Sequence, residues 1–459
     1  MGFGYISLSA KSEQDKYLTG NPQFTFFKAV YRKHTNFAID YQIHRFPTDA
    51  NDLTNKKIYM NIPKNGDLLH KLYLMLDITT VSDSDITNLP PFIYNLFEYI
   101  DISIGGQLID RHYSSWFAIW HDLLEDGCTD VILADMISIK NNYTTAGTKT
   151  LTLPLKFWFN NNIGLALPLI ALQSTEVKLD IKFSSNVNSK RFARGNYNDD
   201  GSEVGTDAVS SINNVKLLIQ YIHLDKDERR VFSSNNHEYL ITQVQNSLNN
   251  PIYNYTSLYS SRDFESIFHK VELRLTYPVK QIYWTIQDLL GSWDANGNYY
   301  ENTGVHQFNY WNNYSFGTEQ INLCNILING KELTEELDAN FFRNIQQYNY
   351  MPSNGIPDVD VSSTSSVGYP AVADLEFNKG LGVYSYSFSL YPNNHQPSGS
   401  INFSQIDNAQ LRFSLKQNSV LTAGSAGNGS FTNKNVNIYA INYNVLRIMS
   451  GMAGLAFIN

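Results

Sequence analysis

The feature that most constrains this chain is a preference for apolar side chains at every second position, renewed in segment after segment. Leu68, His70, Leu72, Leu74, Leu76 and Ile78 share one side of an extended backbone, and Leu151, Leu153, Leu155, Phe157 and Phe159 share another. Val177, Leu179, Ile181 and Phe183 repeat the pattern. So do Val271, Leu273, Leu275 and Tyr277, and then Tyr384, Tyr386, Phe388 and Leu390. Successive side chains of a strand point to opposite faces, so this alternation places one face in a core and leaves the other polar, as in antiparallel sandwiches. The composition agrees: 30 Tyr and 26 Phe stand against only 17% charged residues, material for strands rather than for exposed helices. The expected fold class is all-β.

Local signals fill in the connections. Gly105-Gly106 and Asn329-Gly330 sit between short β runs and read as tight hairpin turns. One helix is expected, because Trp116, Ile119, Trp120, Leu123 and Leu124 recur at helical spacing, with Ser114 or Ser115 as its cap and Gly127 as its stop. Its two tryptophans read as core anchors. The polar stretches Ser184–Asn214, Trp293–Gly317, Pro352–Ala373 and Leu421–Asn435 read as elaborate surface loops.

The chain also repeats itself. Ile102-Ser103-Ile104-Gly105-Gly106 corresponds to Ile326-Leu327-Ile328-Asn329-Gly330, and Val177, Leu179, Ile181 and Phe183 correspond to Ala409, Leu411, Phe413 and Leu415. The order is the same and the offsets are similar, so two copies of one β domain are expected. A length of 459 residues accommodates an eight-stranded sandwich with loops in each half. The boundary falls at the charged connector Asp225–Arg230, giving an arm at 1–24, a first sandwich at 25–224, a linker at 225–236 and a second sandwich at 237–459.

Chemistry is sparse. Cys128 and Cys324 are at most one bridge and read as reduced, buried thiols. The ten histidines form no helical zinc motif, and there is no nucleophile elbow, Walker loop or dinucleotide fingerprint. Acidic pairs such as Glu335-Glu336 and Asp199-Asp200 read as solvated loop charges rather than glycosidase acids or calcium ligands. No catalytic residue, cofactor or metal is expected. A net charge of −9 argues against direct nucleic-acid binding. The opening residues carry no secretory signal pattern, Ile6 stands where a myristoylation site wants Ser or Thr, and the apolar run Ile163–Leu172 is too short to span a bilayer.

Two features keep a binding role open. Trp293, Tyr299, Tyr300, Trp311 and Tyr314 form an aromatic, Asn-rich stretch suited either to stacking on sugars or to packing the loop on its own protein. Five glycosylation sequons occur, at Asn142, Asn254, Asn313, Asn402 and Asn428. A carbohydrate- or receptor-binding β-sandwich surface protein is one function these features allow. Up to Phe46, six basic residues face three acidic ones, an excess suited to an acidic protein or lipid headgroups.

Several unusual runs carry a family resemblance. They are Tyr17-Leu18-Thr19-Gly20-Asn21-Pro22 continuing to Lys28, Tyr31–Phe37, Gly105–Tyr113, Gly164–Leu172 and His237–Ile241. Further markers are Gln396-Pro397-Ser398-Gly399 with Asn402-Phe403-Ser404, and the ending Asn442–Gly451. Along its whole length the sequence resembles the major capsid proteins of the nucleocytoplasmic large DNA viruses. The resemblance implies two consecutive eight-stranded jelly rolls with long loops and a few short helices, and a homotrimer that tiles an icosahedral shell. It also implies partners among neighbouring trimers and minor capsid proteins, and an N-terminal arm (Gly2–Asn21) near those proteins or an internal membrane. Outer loops would face the host, in a virion capsid assembled in the host cell cytoplasm. The sequence departs from the family in its polar loops and before Tyr17, where Lys11, Glu13 and Lys16 replace a smaller, more apolar start.

Overall fold

The computed structural model describes residues 13–29, 31–46, 53, 55–80, 92–124, 132–133, 136–137, 147–184, 196–197, 203–204, 209–252, 267–288, 292–293, 299–300, 321–351, 383–416 and 434–457. Residues 1–37 and 38–459 form two compact units. In the smaller one the helix Glu13–Thr19 places Glu13 and Asp15 in its first turn, where the helix dipole favours them. It ends at Gly20, whose N–H reaches the Lys16 carbonyl at 2.8 Å. A Cβ on Gly20 would stand 2.4 Å from that same oxygen.

The larger unit is built from two sandwiches. The first comprises β1 (Phe37–Arg45), β2 (Lys57–Asn61), β3 (Leu68–Thr80), β4 (Phe97–Ile104), β5 (Gln107–Tyr113), β6 (Gly147–Pro154), β7 (Leu167–Pro168), β8 (Val177–Phe183) and β11 (Val209–Leu224); β9 (Asn196–Tyr197) and β10 (Glu203–Val204) form a separate ribbon. One sheet runs β1-β11-β3-β6, with β7 also on β3, and the other runs β2-β8-β4-β5. The second sandwich comprises β12 (His237–Ile252), β13 (Phe268–Glu272), β14 (Pro278–Asp288), β17 (Ile321–Ile328), β18 (Lys331–Glu332), β19 (Leu337–Asp338), β20 (Val383–Ser387), β21 (Ile401–Asn402), β22 (Ala409–Leu415), β23 (Lys434–Met449) and β24 (Met452–Leu455); β15 (Ser292–Trp293) and β16 (Tyr299–Tyr300) form a second ribbon. Its sheets run β12-β23-β14-β20, with β21 on β14 and β24 on β23, and β13-β22-β17-β18, with β19 on β17. The two strand orders are the same. In each, the first, eighth, third and sixth principal strands make one sheet and the second, seventh, fourth and fifth make the other, which is the jelly-roll winding.

The repeated sequences occupy equivalent places. Ile102 pairs with Leu179 and Ile104 with Val177 between β4 and β8; Ile326 pairs with Leu411 and Ile328 with Ala409 between β17 and β22. Both hairpin turns use two residues of positive φ, Gly105-Gly106 in the first sandwich and Asn329-Gly330 in the second. Those dihedrals match the twist of the flanking strands, and Gly or Asn adopts them at little cost. Each sandwich fills mainly with its own alternating residues, and Ile241, Leu446 and Ile448 of the second sandwich also enter the first core. Leu72, Leu74, Leu76, Leu179 and Ile181 belong to the first core, and Ile282, Trp284, Leu411, Phe413 and Ile438 to the second.

Several sequence expectations need correction. The alternating run from Leu151 to Phe159 is extended only to Pro154; beyond it the chain packs Leu155, Phe157 and Phe159 inward from a bend and the short helix Trp158–Asn161. The Asn160 side chain fixes that bend by accepting the Phe157 N–H at 3.0 Å. Tyr277 leaves the strand pattern with φ +63°, and Leu390 lies exposed past the end of β20. The tryptophan helix spans Ser114–Leu123, but its cap position is Tyr113, with no side-chain cap. The Ser115 hydroxyl is instead engaged with the Tyr439 hydroxyl. Gly127 lies outside the described residues. The charged connector is itself helical, Lys226–Ser234, with no buried residue. Of the four polar stretches, residues 196–197, 203–204, 209–214, 293, 299–300 and 434–435 belong to strands.

Candidate assembly surfaces

The chain's aromatic residues do their most specific work at the seam between the sandwiches. The helix Ser114–Leu123 leaves the first sandwich directly after β5. Phe117 and Ala118, on one side of it, complete the first core. Trp116, Ile119 and Leu123, on another, join Tyr283, Val383, Tyr439 and Ile441 of the second sandwich in a separate apolar cluster. The Trp116 ring lies 5.6 Å from that of Tyr283 and 5.7 Å from that of Tyr439, distances at which aromatic pairs attract beyond simple burial. Burial raises both tyrosine hydroxyls well above their ordinary pKa. Polar groups complete the seam. Asp110 accepts the Val244 N–H at 3.1 Å, Gln243 donates to the Ile109 carbonyl, and Gln107 accepts the Leu455 N–H at 3.2 Å. These contacts join the two jelly rolls within one compact unit.

Other side chains remain at the surface. On β1 the usual polarity is inverted: Asp40, Gln42 and His44 are half-buried, whereas Ile39, Tyr41 and Ile43 are exposed. The Tyr41 hydroxyl accepts from the Gln220 amide at 2.6 Å, which fixes the ring against the sheet's outer face. The outer face of β2-β8-β4-β5 carries a different surface. Arg111 makes a two-point bond to Asp101 at 2.6 and 2.7 Å and lies 4.1 Å from the Tyr99 ring, Lys178 lies 4.5 Å from the Tyr59 ring, and Asp180 bridges Lys57 and Lys178. In the smaller unit, Tyr17, Leu18, Phe24, Phe26, Phe27 and Tyr31 are all exposed. Neither the inverted β1 nor the apolar content of Phe24–Tyr31 is evident from alternation alone, which marks which residues share a side but not which side is inward.

The residues singled out for chemistry scatter. Of the sequons, Asn402 is exposed and its side chain accepts the Ser404 N–H at 3.0 Å; Asn142, Asn254, Asn313 and Asn428 lie outside the described residues. Glu336 is paired with Arg412 at 2.7 Å, and Asp199-Asp200 lies outside the described residues. The backbones of Trp293, Tyr299 and Tyr300 lie in the β15–β16 ribbon, while Trp311 and Tyr314 lie outside. Cys324 is a free thiol in the second core, its pKa raised by burial; Cys128 lies outside. Among the described residues, no group of three His, Cys, Asp or Glu side chains is arranged to hold a metal, and no helix is long and apolar enough to cross a membrane. What the described surface offers is contact area.

Two family models match the chain. "Major capsid protein N-terminus" covers residues 25–225, and "Large eukaryotic DNA virus major capsid protein" covers 228–365 and 379–454. The chain belongs to this major capsid protein family. It is 34% identical to the major capsid protein of Pyramimonas orientalis virus and 32% identical to that of Paramecium bursaria Chlorella virus 1, with all of each chain covered. Among solved structures it is similar to PBCV-1 VP54, at 30% identity and a TM-score of 0.72 over 95% of this chain and 100% of that one. The Faustovirus major capsid protein, at 13% identity and a TM-score of 0.59, shares the fold. A major capsid protein is a structural component of the virion, and the double jelly roll is its architecture. The seam and the exposed faces above are therefore surfaces of a shell-building chain.

Proposed function

We propose that three copies of this chain form one capsomer with a pseudo-hexagonal outline, and that such capsomers tile the facets of an icosahedral shell. The observation that carries this reading is the identical strand order of the two sandwiches within one chain. Three such chains around a threefold axis present six similar walls, and hexagonal blocks cover a flat facet without gaps. Many weak contacts between blocks then give a stable shell while each contact stays reversible enough to correct errors. No catalytic role is assigned.

The division of labour along the chain follows. Residues 1–24 act as an arm, 25–224 and 237–459 as the two walls, and 225–236 as the link between them. The exposed aromatic and aliphatic side chains Tyr17, Leu18, Phe24, Phe26, Phe27 and Tyr31 support a contact role for the opening residues, with minor capsid proteins or the surface of an internal membrane as partners. The long polar loops would face the host, and assembly would take place in the host cell cytoplasm. The test is electron microscopy of the purified protein at high concentration. Six-lobed particles that pack in hexagonal arrays support the reading. Isolated particles that bind a polysaccharide array and form no lattice would instead support the sugar-binding alternative. Removal of the arm should leave the particles intact and impair shell assembly in infected cells; normal virions from such a mutant would refute the arm's role.

A further inference from the structure

The contact that joins the two sandwiches has a counterpart in the same chain that is unpaired among the described residues. Between β18 and β20 the second sandwich carries a helical segment, formed by Phe341–Ile345 and Gln346–Tyr350, in the same topological place as the helix Ser114–Leu123 between β5 and β6. At an offset of 225 residues the two correspond in role as well. Phe117 and Phe342 both turn into their own sandwich cores. At the same offset Trp116, Trp120 and Leu123 correspond to Phe341, Ile345 and Tyr348, of which Phe341 packs partly against its own core while Ile345 and Tyr348 face outward. The fate of these two sets differs. Trp116 is 0% exposed because the second sandwich covers it, whereas Ile345 is 46% and Tyr348 90% exposed.

The receiving surface is duplicated too. β14 begins against β21 with Pro278 opposite Asn402, and β3 begins against β7 with Leu68 opposite Pro168. Five residues on from these starts, Tyr283 faces Tyr439 across β14–β23, and Tyr73 faces Leu218 across β3–β11. Tyr283 and Tyr439 are the residues that hold Trp116. Tyr73 and Leu218 are only half-buried, and beside them on β1 stand Tyr41 and Ile43, exposed by 54% and 57%. Among the described residues, one apolar knob and one apolar sheet face are thus left over, at positions equivalent to a knob and a face that pair within the chain.

We infer that the segment Phe341–Tyr350 of one copy docks on the outer face of β1, β11 and β3 of the next copy, repeating between chains the contact that joins the sandwiches within a chain. The interface is head-to-tail, since different surfaces meet, and such interfaces close into a ring when the successive rotations sum to a full turn. Three chains supply six sandwiches and six such contacts, three within chains and three between them. This rests on the trimer reading above and specifies its interface.

The test compares the wild-type chain with Tyr348→Asp and Tyr348→Phe by sedimentation, and adds a chemical cross-link. Tyr348 is almost fully exposed, so the charge does not disturb folding of the chain, which the far-UV spectrum would check. The inference expects a trimeric wild type, a trimeric Tyr348→Phe and a threefold fall in mass for Tyr348→Asp. It also expects covalent dimers and trimers when a short bismaleimide is added to an Ile345→Cys, Leu218→Cys double variant in a Cys128→Ser background, and not to either single variant in that background. A wild type that is trimeric while Tyr348→Asp stays trimeric and the double variant does not cross-link overturns this interface and leaves the trimer standing. A monomeric wild type overturns both.

Discussion

Trp116 of the first jelly roll is enclosed by Tyr283 of the second, ring to ring at 5.6 Å. The pair shows where this chain departs from two beads on a string. Trp116, Ile119 and Leu123 contribute to neither sandwich core but to a third cluster between them, so the relative placement of the two walls is built into the monomer. Replacing Trp116 with Ala removes a large side chain from a site that cannot collapse around the gap. We expect a loss of about 3–5 kcal/mol. Most of each core belongs to one sandwich, with only Ile241, Leu446 and Ile448 of the second reaching into the first, so chemical unfolding should separate into two transitions, read by far-UV signal and tryptophan fluorescence. A single transition with an unchanged midpoint would contradict this.

Lys280 provides a pH test. Its side chain is 8% exposed, its ammonium donates to the Pro392 carbonyl at 2.7 Å, and it lies 5.7 Å from the Tyr443 ring. Burial pushes its pKa down from 10.5 to about 8. A lowered folded-state pKa means that the unfolded chain binds the proton more tightly, so stability rises as pH increases from about 8 toward 10.5 and is lost as pH falls through 8. In Lys280→Met this slope should be absent. At pH 7 the variant should be more stable by about 2 kcal/mol, since relief of about 3 kcal/mol of charge burial is set against about 1 kcal/mol for the lost hydrogen bond. Urea midpoints of the two proteins at pH 7, 8 and 9 measure this, and the buried tyrosines cancel in the comparison.

Gly66 tests the packing at the start of β3. A Cβ there would stand 2.5 Å from the Tyr221 Cβ, and Tyr221 is held in place by a hydrogen bond from its hydroxyl to the Pro63 carbonyl at 2.7 Å. Gly66→Ala should therefore cost about 1–3 kcal/mol through overpacking, seen as a lower urea midpoint with an unchanged slope. An Ala variant as stable as the parent would show that this turn yields easily.

Cys324 reports on the second core. Its thiol is buried, and burial raises its pKa, so it should resist a thiol reagent in the native protein and react fully in denaturant. A Cys128→Ser background isolates it. Rapid labelling of the native chain would place β17 outside the core.

Much of this architecture is legible in the sequence, for physical reasons that differ by element. The strands β3, β8 and β22 bury one face and leave the other only half-buried or polar, so their alternation reads directly. The duplication is visible where the same constraint acts twice: the turns at Gly105-Gly106 and Asn329-Gly330 need positive φ, and the partners of Ile102 and Ile326 need apolar volume. Alternation fails where burial does not require a strand, as for Phe157 and Phe159. It also leaves β1 undecided, because the pattern Ile39, Tyr41, Ile43 is the same whether these residues face a core or another protein. The segment Phe341–Tyr350 has no simple periodicity of burial in one chain, since Phe342 turns inward while Ile345 and Tyr348 face out. Side chains meant for a partner carry no distinguishing mark in a single sequence.

The central claim is that one chain with two equivalent walls is the repeating third of a six-walled block. Native mass measurement of the purified protein at micromolar concentration addresses it most directly. The account predicts a dominant species of about 157 kDa, three times the 52.3 kDa chain. A dominant species at 52.3 kDa, or an even-numbered assembly, would contradict it.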